Sequence, residues 1–279
     1  MKKIIVAIDA ITYNENSLDQ AIQIAQRSGG MILGVFLHDL SYINYNLPSA
    51  FVLAPVEYTS IVKKQKDDQA KLELNLKLFN DKCSREHIKH KAHIHEGMDI
   101  VNFLIQETIF ADLLILDEHM SFTYVGAQQL SSFVIDVLED AHCPVLVVPD
   151  KARLVEHVFL CYDGTPSSVQ AIKMYAYLFP EWSSKPTTLV SFNESSSNHL
   201  KKSENIKDLL HQHFTQLHID VEHHLRVGDA IYSYFKLHEE GAFLVMGAYG
   251  RSAFSRLFKK SMANTIIREV RVPIFITHE

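Results

Sequence analysis

The feature that most constrains the fold of this chain is an internal repeat of two similar halves. The stretch KKIIVAIDAITYNENSLDQAIQIA matches EHVFLCYDGTPSSVQAIKMYAYL: each has a short apolar run ending in an acid, then a polar turn, then apolar residues at helical spacing. This alignment pairs Asp9 with Asp163. Farther along, HIHEGMDIVNFLIQETIFADLLILDEH aligns with HHLRVGDAIYSYFKLHEEGAFLVMGAY, and the halves end alike, in AHCPVLVVPD and VRVPIFITHE. Such a chain is expected to fold as two copies of one unit.

Within each half, continuous apolar runs such as IIVAI, LLIL and VLVV alternate with helical patterns. Continuous apolar strands separated by helices indicate a parallel sheet that is buried on both faces. The sequence therefore predicts an α/β fold of two doubly wound, Rossmann-like domains, each with a five-stranded parallel sheet. We place the domains at residues 1–150 and 151–279, joined by a short charged linker near residues 150–156. The predicted strands span residues 2–8, 31–37, 91–95, 112–117 and 144–149, and then 157–162, 187–192, 220–225, 242–247 and 273–277.

The composition is that of a globular protein, with 47% hydrophobic and 22% charged residues in 279. Charge is divided unevenly between the halves. Residues 1–150 carry 12 Lys and Arg against 20 Asp and Glu, a net charge of −8, whereas residues 151–279 carry 15 against 13, a net charge of +2. An anionic ligand is therefore expected to prefer the second half. The negative total and the absence of a basic, aromatic-rich strand argue against nucleic-acid binding.

Cysteine usage and the N-terminal segment predict a cytoplasmic protein. The three cysteines are scattered without a CxxC pair, which is typical of a reducing compartment and excludes a thiolate zinc site. Asp9 interrupts the first apolar run, so the N-terminal residues are interpreted as a first strand and not as a signal peptide. No apolar run approaches the roughly 18 to 20 residues that a membrane span needs, and no membrane partner is expected.

The stretch GAYGRSAFSRLFKKSM, residues 247–262, is the strongest candidate for a binding loop. It follows a predicted strand, and in open parallel sheets ligands bind outside the carboxyl ends of the strands. Gly247 and Gly250 would let an anion approach backbone N–H groups, and Ser261 would cap a following helix whose free N–H groups suit phosphate. The segment has no acid between residues 248 and 268 but four cations: Arg251, Arg256, Lys259 and Lys260.

Simpler interpretations of this loop stay open. Two glycines three residues apart are a weak signal, a serine caps a helix with or without a ligand, and cations often line a solvated surface. The loop is also not a Walker P-loop, because no glycine directly precedes Lys260.

On these residues the chain resembles the universal stress proteins, with two UspA-type domains in one polypeptide. The resemblance covers nearly the whole chain, through the strand-end acids Asp9 and Asp163, the glycine loop and the closing CPVLVV-like strands. Nucleotide-binding members of that family carry GxxG, nine residues, and then G[ST]. This chain has Gly247, Gly250, nine residues, Lys260 and Ser261, so three of the four positions agree.

The resemblance implies an adenine nucleotide alpha hydrolase-like fold and a nucleotide site in the second half, for ATP or another adenine nucleotide with Mg²⁺. Asp163 would contact the adenosine part, and the backbone near Phe192 would touch the base. Gly247 and Gly250 would line the ribose and phosphate path. The phosphates would be held by Ser261 and the following N–H groups, beginning with that of Met262. Lys260 would either supply a cation to the phosphates or close the space that a glycine leaves.

The matching loop of the first half, DEHMSFTYVGAQQLSS, predicts no ATP site there. Asp117 and Met120 replace the two glycines, the four cations are missing, and Asp117 and Glu118 add negative charge. Like charge lowers affinity for phosphate, and side chains block the backbone. The first half is expected to pair with the second as an intramolecular pseudo-dimer and to hold a different ligand, if any. Assembly into a further homodimer stays open.

Other patterns are assigned structural roles. Ser28, Gly29 and Gly30 follow a helix and are interpreted as its C-terminal stop. His93, His95 and the His211-x-His213 pair lack a third ligand and are not expected to bind a metal. Residues 57–85 predict a long amphipathic helix whose leucines and Phe79 pack on the core, and residues 41–58 either cover a crevice or form an interface.

Three functions remain open at this stage. The chain is a regulatory stress protein that binds an adenine nucleotide in its second half, an interaction module without a nucleotide site, or a weak ATPase that uses Asp163 with a bound metal. No residue near the loop makes a persuasive general base, so an enzyme is not favoured.

Overall fold

The computed structural model describes residues 1–40, 55–122, 130–150, 154–193, 200–223, 227–247, 266–267 and 269–277. The first half contains five strands and four helices within these ranges. In chain order they are β1 (Lys3–Asp9), α1 (Glu15–Ser28), β2 (Met31–Asp39), α2 (Pro55–Arg85), β3 (His90–Gly97), α3 (Ile100–Thr108), β4 (Leu113–Asp117), α4 (Ser132–Asp140) and β5 (Val145–Val148).

The described part of the second half repeats this alternation of strand and helix. Its elements are β6 (His157–Cys161), α5 (Pro166–Leu178), β7 (Thr187–Asn193), α6 (Ser203–His213), β8 (Leu217–His223), α7 (Val227–Leu237), β9 (Ala242–Gly247) and β10 (Ile274–Thr277). A short 3₁₀ helix, Pro180–Trp182, follows α5. All ten predicted strands are present, although β8 begins three residues earlier than residue 220, where the sequence predicted it.

The ten strands form one continuous sheet in the order β3-β2-β1-β4-β5-β10-β9-β6-β7-β8. Strand pairing is parallel within each half, as in β1 with β2 and β6 with β7. The halves meet where β5 and β10 pair antiparallel, with Phe275 opposite Leu146. The fold is therefore α/β and doubly wound, as predicted, but the two five-stranded sheets are joined edge to edge. The domain boundary at residue 150 stays a prediction.

The core forms two apolar layers, one on each face of the sheet, and both layers contain side chains from both halves. Strands β4, β5 and β9 are buried at every residue, which explains their uninterrupted apolar sequences. Neither half therefore has a core of its own that is separate from the other.

Helix α1 shows how local sequence sets element ends. Its N-cap residue, Asn14, accepts a hydrogen bond from the backbone N–H of Asn16 at 3.0 Å. At the other end Gly29 adopts φ +65° and donates its N–H to the carbonyl of Ala25 at 2.8 Å. The interpretation of the Ser28–Gly30 stretch as a helix stop is confirmed.

Helix α2 confirms the long helix predicted for residues 57–85. Leu72 and Phe79 are buried, and the Phe79 ring lies where a side chain at position 34 would be, 2.8 Å from a Cβ built on Gly34. Two other leucines of the predicted stripe, Leu74 and Leu78, are 56% and 40% exposed. Their assignment to the core was wrong, because neither side chain is buried.

Candidate functional site

The second half brings the predicted residues Asp163 and Gly247 together at one edge of the sheet. Strands β6 and β9 are neighbours, with Leu160 paired to Val245. If this register continues for two more residues, Gly247 lies beside Tyr162, which is the residue before Asp163. The chain winds away from this point in opposite directions, through β7 on one side and β10 on the other. This is the switch point at which doubly wound sheets bind ligands.

The Asp163 carboxylate is held by the turn that starts α5. Its Oδ1 accepts hydrogen bonds from the backbone N–H of Thr165 at 2.9 Å and from the Thr165 hydroxyl at 2.6 Å. The same hydroxyl accepts from the N–H of Ser168 at 3.3 Å and so caps α5. Gly164 makes this turn possible with φ +82°. No described residue donates to Oδ2, which leaves one fixed carboxylate oxygen available to a ligand.

Gly247 is required by packing as well as by any ligand. A Cβ built on it would lie 2.4 Å from both the carbonyl carbon and the carbonyl oxygen of Ser167, in the first turn of α5. The Ser167 hydroxyl is 2.6 Å from the same point, and it is buried without a hydrogen-bond partner. The sequence predicted a glycine that lets a ligand approach the backbone. In the structure the first turn of α5 occupies the space that the missing side chain leaves.

Lys201 contributes a cation that sequence reasoning missed. Its ammonium group donates to the backbone carbonyl of Asp163 at 3.2 Å, and its own carbonyl accepts from the Tyr162 hydroxyl at 2.9 Å. Its aliphatic carbons pack beside Gly164. Lys201 lies outside the repeat alignment and any motif. Its position at the end of β6 therefore could not be predicted from the sequence.

Phe192 lies level with Asp163 on the neighbouring strand, because the pair Cys161 and Val190 fixes the register two residues earlier. Its ring packs edge-on against Tyr234 of α7, with 5.6 Å between centroids. Because the ring makes this contact, the predicted contact with a base would be made by the backbone of Phe192. The other predicted site residues lie outside the described residues: Gly250, Lys260, Ser261 and Met262, and with them the cations at 251, 256 and 259.

The equivalent edge of the first half holds a cavity of about 760 Å³. It lies at the carboxyl ends of β1 and β4, between the start of α1 and a face of α2. Asp9, which the repeat aligns with Asp163, lines it, and its Oδ1 accepts from the N–H groups of Ile11 at 2.8 Å and Thr12 at 3.1 Å. Asp117 also lines it, and accepts from the Asn14 amide and from the N–H of His119 at 2.7 Å.

Acidic groups crowd the loop after β4. The pKa of Glu118 is raised to about 7, chiefly by burial and also by the charges of Asp150 and Asp117, against the opposing charge of His119. Burial likewise raises the pKa of Asp117. The His119 ring lies 3.3 Å from carboxylate oxygens of both Glu118 and Asp150. This concentration of negative charge supports the expectation that phosphate is disfavoured in the first half.

Replacing Glu118 with glutamine should flatten the pH dependence of stability near neutrality. A carboxyl whose pKa is higher in the folded state than its ordinary value of 4.5 favours folding while protonated, and that stability is lost as pH rises through about 7. At about 1.4 kcal/mol per pKa unit, the loss in the wild type between pH 4.5 and pH 8 approaches ~3 kcal/mol. Urea unfolding at several pH values measures it. An unchanged pH profile in Glu118→Gln would contradict this assignment.

His93 and His95 of β3 each contact a neighbouring side chain. His95 stacks on Phe103 with 4.1 Å between ring centroids, and His93 lies 3.0 Å from a carboxylate oxygen of Glu107. Within the described ranges no three metal-ligating side chains converge. None of the described helices is long and apolar enough to cross a membrane.

Comparison with solved structures identifies the fold. The chain is similar to a universal stress protein from Archaeoglobus fulgidus, at 15% identity and a TM-score of 0.72, over 99% of this chain and 98% of that one. It is also similar to a candidate universal stress protein from Pseudomonas aeruginosa, at 14% identity and a TM-score of 0.60, over 100% of this chain and 93% of the other. No protein-family model and no curated protein matches the sequence. The full length of the chain therefore has the fold of these universal stress proteins.

Proposed function

We propose that this chain is a tandem universal stress protein whose second half binds ATP or a related adenine nucleotide. The observation that carries the proposal is the arrangement at the switch point between β6 and β9. There the Asp163 carboxylate, whose second oxygen accepts no hydrogen bond from a described residue, lies with the glycine end of β9 and the N-terminus of α5. A ribose hydroxyl can donate to Oδ2 of Asp163, and a helix N-terminus favours an anion.

Charge supports the second half as the nucleotide-binding half. It carries a net +2 against −8 in the first half, from 15 basic and 13 acidic residues against 12 and 20. Lys201 adds a cation at the end of β6, and the segment after β9 contains four more in the sequence. The same edge of the first half has Asp117 in place of Gly247, so the two halves are expected to differ sharply in affinity for phosphate.

Mg²⁺ would enter this site with the nucleotide. The described residues place one carboxylate, that of Asp163, at this edge, and Mg²⁺ commonly binds through one or two carboxylates together with substrate phosphates. The residues fit a metal that is held mainly by phosphate oxygens. Binding of the complex at the sheet edge would then alter which surfaces are available to protein partners, which is the regulatory role that we propose.

Isothermal titration calorimetry with Mg-ATP tests the nucleotide site. The wild type should bind one equivalent per chain, because the first half is expected to reject phosphate. Asp163→Ala should weaken binding about tenfold or more, since it removes an acceptor for the ribose hydroxyls, and a lost charged hydrogen bond costs about 1.5–3 kcal/mol.

The matched control is Asp9→Ala, which removes the corresponding acid of the first half and should leave the affinity unchanged. Gly250→Trp and Ser261→Ala extend the test to the segment between β9 and β10, and both should weaken binding. Absence of binding at millimolar Mg-ATP would overturn the proposal. Equal losses in Asp163→Ala and Asp9→Ala would place the nucleotide elsewhere.

A further inference from the structure

The cavity of the first half is large enough for a small organic molecule. Its volume, about 760 Å³, is in the range of roughly 300–1,000 Å³ that is typical of ligand pockets. It lies at the switch point between β1 and β4, the position that corresponds to the proposed nucleotide site of the second half. The charge of its lining nevertheless differs from that of a phosphate site.

Four carboxylates and no Lys or Arg are among the described residues that line the cavity. Two of the four carboxylates are already matched by cationic or titratable groups. Glu15 forms an ion pair with Lys82 at 2.6 Å, and Asp150 lies 3.3 Å from the His119 ring. Asp9 and Asp117, the least exposed of the four, accept hydrogen bonds from neutral backbone, hydroxyl and amide donors. The charges that act on Asp117 are those of the His119 ring and of Asp150. Most of their negative charge is therefore left for a ligand to balance.

A second and independent observation points to a ligand. The Ser17 side chain lines the cavity, its residue is only 2% exposed, and no described residue forms a hydrogen bond with its hydroxyl. The Tyr13 hydroxyl, also on the lining, is buried and likewise has no partner among the described residues. Buried hydroxyl groups are nearly always hydrogen-bonded, so two unpaired hydroxyls on one cavity point to a polar group from outside the protein.

The lining also contains apolar side chains, which suit a hydrocarbon body. Ile11, Met120 and the ring of Tyr13 contribute carbon surface, together with Leu78 of α2. This accounts for Leu78, whose 40% exposure was unexpected for a stripe residue, since its side chain borders the cavity. An aromatic ring and a thioether next to carboxylates are a favourable setting for an organic ammonium group.

We propose that this cavity of the first half binds a small organic cation, namely a primary ammonium group on an apolar body. The ammonium group would balance Asp9 and Asp117 and donate to the Ser17 hydroxyl, and the apolar body would lie against Ile11, Tyr13 and Leu78. A phosphate ligand is disfavoured by the four carboxylates, and among the described residues no three groups converge on a point where a metal ion could be held. The two halves would then bind ligands of opposite charge.

Calorimetry with three probes of similar shape tests this site on the full chain. Benzylamine is a cation near neutral pH, benzyl alcohol is neutral and benzoate is an anion. Benzylamine should bind with one site per chain, benzyl alcohol about tenfold more weakly or worse, and benzoate not at all, because an unpaired charged group at such a site costs several kcal/mol. Equal binding of amine and alcohol, or no saturable binding of benzylamine at millimolar concentration, would overturn the proposal.

Variants locate the bound cation. Asp117→Asn and Ser17→Ala should each weaken benzylamine binding, and the matched control Asp163→Asn, in the second half, should leave it unchanged. Loss of binding in Asp163→Asn alone would place the cation in the second half and overturn the assignment. Because Asp117 also accepts from Asn14 and His119, thermal unfolding of Asp117→Asn is checked by circular dichroism.

A salt series on the wild type provides a test that does not depend on any variant folding. Raising the NaCl concentration should weaken the binding of benzylamine and leave that of benzyl alcohol nearly constant, because screening acts on the charge pair alone. Benzylamine binding that is insensitive to salt would contradict recognition by the carboxylates.

Discussion

Replacing Gly247 with alanine should lower the free energy of unfolding by about 3 kcal/mol or more. The added Cβ would lie 2.4 Å from the carbonyl carbon and oxygen of Ser167, which is backbone and not the end of a flexible side chain. To relieve the clash, the first turn of α5 or the end of β9 has to shift, and overpacking of this kind costs about 1–3 kcal/mol and in severe cases more. Urea unfolding followed by far-UV circular dichroism measures the change.

Gly29→Ala is the control for the loss of a glycine without a clash. Gly29 has φ +65° and no atom within 4 Å of an added Cβ, so alanine there meets only the conformational cost of about 1–2 kcal/mol. If the two variants lost the same stability, the contact between Gly247 and Ser167 would not be as close as the structure places it. The comparison also separates the packing role of Gly247 from any role in ligand binding.

The sequence predicted the fold almost completely, because burial on both faces of a parallel sheet leaves an unmistakable pattern. Runs such as LLIL and VLVV have no polar alternation, so they could be assigned to central strands without knowing their neighbours. The edge-to-edge pairing of β5 with β10 was not predicted. Both strands read as buried and apolar, and nothing in an apolar run distinguishes a parallel neighbour from an antiparallel one.

The position of two predicted residues in the fold could be predicted because strand ends determine it. Asp163 and Gly247 each end an apolar run, and adjacent parallel strands bring such ends together. Lys201 was missed, because its position depends on how a loop 38 residues later packs onto Asp163. In the first half, Asp117 and Glu118 allowed the sequence to predict that an anionic ligand is disfavoured. The two buried hydroxyls that have no partner among the described residues depend on side-chain positions and leave no pattern in the sequence.

A cluster of aromatic side chains anchors the second half against the sheet junction. Tyr175 of α5 and Phe179, the C-cap residue of that helix, contact Phe243 of β9 and Phe275 of β10, with ring centroids 5.7–6.1 Å apart. Trp182 closes the cluster at 5.1 Å from Phe243. Phe275 belongs to the strand that pairs with β5, so the cluster connects the helical layer of the second half to the join between the halves.

Phe243→Ala should lower the free energy of unfolding by about 3–5 kcal/mol. The Phe243 side chain is 1% exposed, and its removal leaves a cavity among rings that cannot close around it without losing their own contacts. The chain contains a single tryptophan, so the fluorescence of Trp182 reports on this cluster directly. The variant should show a lower urea midpoint by fluorescence. Phe110→Ala, at a side chain that is 73% exposed, is the matched control and should change the midpoint little.

The same measurement tests whether the halves unfold together. Both apolar layers contain residues of both halves, and Arg27 of α1, in the first half, lies 5.8 Å from the Trp182 ring. Loss of packing in the second half therefore exposes core surface of the first, and in Phe243→Ala the fluorescence and circular dichroism transitions should fall together at the same urea concentration. A fluorescence transition that precedes the loss of helix signal would mean that the β5–β10 junction joins two units of separate stability.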